Sequence, residues 1–292
     1  MGASFVIALR EGIEAALIVS ILLAYLRQIG RSDRAPLIWW GTAAAVVLSV
    51  VAGTVIFVVG AEFEGTTEQV FEGVVTMFAV GVLTWMIFWM RRQGARIKNE
   101  LQEKVDIALM SGGVALGALA FVAVLREGVE TALFIYAAAQ GTAVDSGGVG
   151  AQLVGAILGL GLAVVLGVAI YRGGVRMNLR TFFRYTGLAL VVVAAGLFAY
   201  SLHELQEAGW FPFLTATAYD VSATLPDDAG IGAILRGVIG FNADPTWLEV
   251  VGWVGYLVVV GGLFLRPVRI PVARPEPASA AIAIPADDTT RQ

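Results

Sequence analysis

The sequence predicts an all-α integral membrane protein of seven transmembrane helices, built as a 3+3 inverted repeat plus one extra helix. Three observations predict it. Of the 292 residues 58% are hydrophobic and only 14% charged, with a mean hydropathy of +0.80, which is more apolar surface than a soluble fold can hide. Basic and acidic residues alternate from loop to loop. A short charged motif occurs twice, each time inside an apolar run.

Apolar runs between charged or Gly/Pro-rich breaks place the spans at roughly 3–27, 36–60, 67–90, 107–139, 149–171, 182–204 and 247–266. Residues 37–60 and 149–170 carry no charge at all and exceed the roughly 20 residues needed to cross about 30 Å of hydrocarbon. The first run has neither a basic start nor a small-residue cleavage site and holds Arg10, Glu11 and Glu14 in its middle, so it is expected to be a retained helix rather than a signal peptide.

Arg27, Arg31 and Arg34 follow span one; Arg91, Arg92, Arg96, Lys98 and Lys104 follow span three. Arg172, Arg176, Arg180 and Arg184 follow span five, and Arg266, Arg269, Arg274 and Arg291 follow span seven. The other loops carry Glu62 and Glu64, then Asp145, then Glu204, Glu207, Asp220, Asp227, Asp228 and Asp244, with Arg236 their one basic residue. The positive-inside rule then puts 16 of the 19 Lys and Arg residues in the cytoplasm, the N-terminus outside and the C-terminus inside. Residues 1–266 form the seven-span domain. Residues 267–292, rich in Pro, Ala, Asp and Thr without periodicity, are expected to be a disordered cytoplasmic tail. The outer stretch 209–245 mixes aromatic residues with Gly and Pro, and short helices or a partial dip into the bilayer are both compatible with it.

The motif Leu9-Arg10-Glu11-Gly12-Ile13-Glu14-Ala15-Ala16-Leu17 recurs as Leu125-Arg126-Glu127-Gly128-Val129-Glu130-Thr131-Ala132-Leu133. Span one runs inward and span four outward, so the copies are antiparallel, as in carriers that hold substrate at the midplane between inverted halves. Residues three and four apart share a helix face, which groups Glu11 with Glu14 and Glu127 with Glu130, each pair beside its Arg10 or Arg126. Four carboxylates meeting at one point repel unless a cation sits among them. Their oxygens suit a hard ion such as iron, manganese, magnesium or calcium, and thiolate ligation is impossible in a chain without cysteine. The arginines would lower the net charge and orient the carboxylates, and Gly12 and Gly128 would allow close helix contact. The bland alternative is that each Arg and Glu neutralise one another simply to hold helices together. Six mid-bilayer charges, each costing about 2.5 kcal/mol or more on insertion scales, are a heavy cost for that purpose alone.

A second group of polar residues faces outward. Glu68 and Glu72 lie one turn apart at the start of span three, and His203-Glu204-Leu205-Gln206-Glu207 ends span six with His203 and Glu207 on one face. A ring of carboxylates with one imidazole would attract cations and strip their water. Glu62 and Glu64 read as solvated loop residues. Trp39, Trp40, Trp85, Trp89, Trp210, Trp247 and Trp253 read as interfacial anchors.

Two Arg-Glu-Gly-x-Glu motifs on spans one and four, a Glu-rich start to span three and a His-Glu-x-x-Glu end to span six make the chain resemble the oxidase-dependent iron permease family over residues 1 to about 266. The resemblance implies an iron uptake permease of the cell membrane, with iron as transported substrate and no permanently bound cofactor. Glu11, Glu14, Glu127 and Glu130 would then be the central ligands, with Arg10 and Arg126 in support. It further implies partners that change iron's oxidation state: a multicopper oxidase in fungi, or in bacteria a haem peroxidase with an extracytoplasmic iron-binding protein. The compact length fits the bacterial members. Beyond iron and the lipid bilayer no nucleic-acid partner is expected. The same scaffold carrying lead or manganese stays open, because carboxylates discriminate poorly among such cations. No His-Glu-x-x-His, Walker or Ser-His-Asp constellation is present, and His203 precedes its glutamates, unlike the di-iron Glu-x-x-His pattern, so enzyme activity is not expected.

Overall fold

Long apolar runs cut by Gly, Pro and charge clusters fold into long helices, because a backbone withdrawn from water must satisfy its own hydrogen bonds. The computed structural model describes residues 1–93, 97–110, 112–141, 148–172, 179–227 and 230–266, and among these the one β contact is an isolated bridge between Thr217 and Thr246. Helix α1 (Gly2–Gln28) passes through a 3₁₀ turn at Ser32–Arg34 into α2 (Ala35–Gly60), which has Pro36 in its first turn, where a missing N–H leaves no bond unmade. Then come α3 (Thr66–Gln93), α4 (Ile97–Met110), α5 (Gly113–Gln140), α6 (Gly148–Tyr171), α7 (Leu179–Glu207) and α8 (Gly230–Ile239). Helix α9 (Trp247–Tyr256) continues through a π-turn at Leu257–Gly261 to Leu265.

Among the described residues five segments are long and apolar enough to cross a membrane: Ser32–Gly60, Thr66–Met90, Gly150–Tyr171, Thr181–Glu207 and Trp247–Leu265. Helices α1 and α5 match them in length, at 27 and 28 residues, and differ in carrying the charged motif.

The span expected at 107–139 is cut short. Residues 107–110 belong to α4, and α5 starts afresh from its N-cap Gly112, whose φ of 106° is one that L side chains rarely adopt. What reads as a basic loop after span three is thus largely an amphipathic helix. Leu101, Val105 and Ala108 turn inward against α1 and α5, while Ile107 and Met110 stay exposed. The Tyr25 hydroxyl donates to Asp106 at 2.7 Å and ties α4 to α1. The stretch 209–245 contains α8. The expected tail 267–292, with Arg269, Arg274 and Arg291, lies outside the described residues, as do Arg96, Asp145, Arg176 and Asp228.

Three pairings organise the bundle: α1 with α6, α2 with α5, and α3 with α7. Along the first, Gly155 approaches Met1, Gly159 the Phe5 and Leu9 backbone, and Gly167 Ala16, so the two helices run parallel. Along the second, Gly41 approaches Gly117, Ser49 faces Gly128 and Gly53 faces Ala132, again parallel. Helices α1 and α5 are mutually antiparallel. Ala3 and Ile7 cluster with Phe134 and Ala137, whereas Leu22 and Leu26 cluster with Leu116 and Ala120. The outward faces of α2 and α6 expose Val47, Val50, Ile157 and Val165, an apolar girdle suited to lipid.

These seams make a stability prediction. A methyl at Gly41 would overlap the Gly117 carbonyl, backbone against backbone, whereas a methyl at exposed Gly81 meets nothing within 4 Å. Gly41→Ala should destabilise the detergent-solubilised protein by about 1–3 kcal/mol. Gly81→Ala should be neutral or stabilising by up to about 1 kcal/mol. Thermal unfolding followed by tryptophan fluorescence checks both, and equal midpoints would contradict the close α2–α5 contact.

Candidate metal centre

Helical periodicity turns Glu11 and Glu14 of α1 toward α5, and the antiparallel packing brings Glu127 to meet them. Among the described residues these three are the one group of acidic or imidazole side chains whose ligand atoms all lie within 4.8 Å of one another. Their exposures are 1%, 9% and 6%, so water does little to screen their charge. Glu130, the fourth expected member, stands beside the group rather than in it: its Oε1 accepts from Arg126 Nε at 2.8 Å.

The two arginines do different things. Arg10 is buried, with Nη1 donating to Glu11 at 3.3 Å, Nε 3.2 Å from Glu14 Oε1, and Nη2 turned to the Met90 sulfur of α3. Arg126 is 38% exposed, pairs with Glu130, and has Glu127 4.0 Å from its Nε. Its guanidinium lies 4.9 Å from the ring centre of Trp89 and 5.9 Å from that of Trp85. These two tryptophans stack on each other at 6.0 Å and offer their negative π-faces to the cation. Trp253 Nε1 donates to the Ile239 carbonyl and pins α9 to α8. Trp39, Trp40, Trp85, Trp210 and Trp247 are exposed.

Even with both guanidinia in place, Glu11 Oε2, Glu14 Oε1, Glu127 Oε2 and Glu130 Oε2 are buried with no hydrogen bond among the described residues. Buried oxygens without donors are rare in folded proteins and call for a positive partner. A set of carboxylate oxygens this close can chelate a divalent cation of the hard or borderline kind.

At the Met1 end of the bundle the other expected residues form linked pairs rather than a closed ring. Glu72, 9% exposed, accepts from the Tyr200 hydroxyl at 2.6 Å and from Gln140. Glu204 lies against the same hydroxyl. Glu207 accepts from Gln69 at 2.8 Å, joining the end of α7 to the start of α3, and sits 3.4 Å from His203 Nε2. Glu68 is exposed, with Glu62 and Glu64 in the loop before it. A cavity of about 350 Å³, whose lining includes His203, Glu204, Asn242 and Glu249, opens between α7, α8 and the start of α9. Of these, Glu249 and Asn242 escape notice in the sequence. The Thr246-x-x-Glu249 capping pattern before an apolar run signals only a helix start.

The family model of the iron permease FTR1 family matches residues 1–273, nearly the whole chain. The chain belongs to that family. The permease is 40% identical over 268 residues to the ferrous iron permease EfeU of Escherichia coli O6:K15:H31 (strain 536 / UPEC), a match covering 91% of this chain and 95% of that one. Proteins of the same name from Shigella sonnei (strain Ss046) and Yersinia pestis are likewise 40% identical, with 95% and 93% of their lengths covered. No solved structure matches the permease. Family and fold together make it a multi-pass membrane protein that transports iron, and not an enzyme.

The unequal burial of the arginines leads to a prediction. Arg10→Gln strips the buried Glu11 and Glu14 of their guanidinium and should cost about 3–5 kcal/mol of stability. Arg126→Gln, at a half-open site, should cost about 1 kcal/mol or less. Comparable losses of unfolding midpoint in the two variants would contradict the asymmetry.

Proposed function

We propose that the permease takes up iron through the carboxylates of its two Arg-Glu-Gly-x-Glu motifs, with Glu11, Glu14, Glu127 and Glu130 as midplane ligands. The observation that carries this is the convergence of three buried carboxylates from two antiparallel helices, with oxygens that no donor satisfies. Arg10 and Arg126 hold the group together when it is empty. The relatives' name, ferrous iron permease, favours Fe(II) as the cargo.

The scaffold around the site is read as seven spans, the five apolar helices plus α1 and α5, arranged as two inverted halves with α9 added. Matched contacts support this. Met1, Gly12 and Ala16 face Gly155, Ala163 and Gly167, while Gly117, Gly128 and Ala132 face Gly41, Ser49 and Gly53, at identical intervals in both series. Each motif glycine therefore meets its neighbour helix at the equivalent place, and the antiparallel course of α1 and α5 supports reading one half as inverted relative to the other. The protein is read as a cell-membrane permease, and by the positive-inside rule its basic connections are read as cytoplasmic and its N-terminus as outside. Iron gathers at Glu68, Glu72, His203, Glu204 and Glu207 in the outer mouth, moves to the midplane, and leaves inward as the halves rock. An extracytoplasmic iron-binding protein and a haem peroxidase or other oxidase would supply it. A carboxylate site would also admit another divalent ion, such as lead or manganese.

Proteoliposomes holding the purified protein should accumulate radioactive iron, offered in each oxidation state and with manganese as competitor. Glu14→Gln with Glu130→Gln should reduce uptake at least tenfold while the protein stays folded. Uptake equal to native in that variant would refute passage through the motif carboxylates.

A further inference from the structure

Glu249 has no part in the transport path described above, yet it is among the most completely engaged side chains of the molecule. It lies in the first turn of α9, 4% exposed. Its Oε1 accepts from the Thr246 N–H at 3.1 Å and lies 2.9 Å from His203 Nδ1, and its Oε2 accepts from Asn242 Nδ2 at 2.9 Å. The Thr246 hydroxyl in turn accepts from the Glu249 N–H, closing a capping box.

A carboxylate surrounded by donors dictates the role of the imidazole it touches. His203 Nδ1 must carry the proton it gives to Glu249, which leaves the lone pair of the neutral ring on Nε2. That nitrogen points the other way along the helix, 3.4 Å from Glu207 Oε1, whose side chain is 51% exposed at the mouth. A histidine whose far nitrogen donates to a carboxylate is the usual arrangement behind a metal-bound imidazole, since the partner fixes the tautomer and raises the basicity of the ligating nitrogen.

We propose that Glu249 is the positioning residue for His203, holding its Nδ1 proton so that Nε2, beside Glu207, is presented to a divalent cation arriving at the outer mouth. This rests on the reading of His203 as an outer ligand. It also assigns a task to the helix outside the two halves: α9 reaches the mouth from beyond the repeat and sets the geometry of its single imidazole.

His203 is the only histidine in the chain, so the full-length protein labelled with ¹⁵N-histidine in lipid nanodiscs gives one pair of ring-nitrogen signals. At mildly alkaline pH the native ring should be protonated at Nδ1, and zinc, a diamagnetic stand-in for ferrous iron, should shift Nε2. Glu249→Gln should mix the tautomers and raise the half-saturating zinc concentration roughly 10- to 100-fold. Thr246→Ala, which opens the capping box without touching the carboxylate, should keep the native tautomer and zinc response. A native ring protonated at Nε2, a Glu249→Gln protein indistinguishable from native, or a Thr246→Ala protein with the same loss would each overturn the positioning role. An Nδ1-protonated native ring whose Nε2 ignores zinc would instead overturn His203 as a ligand, and the inference with it.

Discussion

A carboxylate carried from water into an apolar bundle loses most of its solvation, and a second or third placed beside it adds repulsion to that loss. Glu11, Glu14 and Glu127 are held in that way, and much of the architecture answers to the cost. Their helices carry these charges in the middle of apolar runs, and each brings its own arginine one residue before the first glutamate. Around them α2 and α6 present lipid-compatible Val, Leu and Ile outward and small residues inward. The small residues matter because van der Waals contact, with no hydrophobic drive between helices, is what holds segments together in a bilayer. Gly41 against Gly117, and Gly159 against the Phe5 and Leu9 backbone, bring helix axes close enough for the motif helices to be clasped from either side.

Near-identical motifs are set in unequal surroundings. Arg10 is sealed between its own glutamates and the Met90 sulfur, while Arg126 lies half open across two stacked tryptophans of the same helix α3. Glu130 follows Arg126 and stands outside the three-carboxylate group, which therefore draws two members from α1 and one from α5. At the Met1 end, polar contacts run from Gln69 through Glu207 and His203 to Glu249 and Asn242, linking α3, α7 and α9.

Much of this was legible in the sequence because hydrocarbon permits so few structures. Charge-free runs such as 37–60 could hardly be anything but helices, and the doubled motif named its own glutamates. The i, i+4 pairing of Arg126 with Glu130 and of His203 with Glu207 followed from periodicity. Helix α4 was hidden because the charges from Arg91 to Lys104 outweigh the Leu101, Val105 and Ala108 stripe that buries it. The break at Gly112 is a backbone event inside an apolar stretch that hydropathy alone runs through. Glu249 was invisible for a different reason. Its partner His203 is far away in the chain, and only the packing of α9 on α7 brings them together. The contact of Trp85 and Trp89 with Arg126 is likewise set only by the packing of α5 on α3.

Passage of iron through the two motifs requires that a metal ion occupy the space among Glu11, Glu14 and Glu127. Anomalous diffraction at the iron edge, from crystals of the permease grown with ferrous iron under anaerobic conditions, locates the ion without reference to activity. A peak within bonding distance of oxygens from both α1 and α5 is the predicted result. Iron found only at the outer mouth, or none between the two motifs at saturating concentration, would contradict the account.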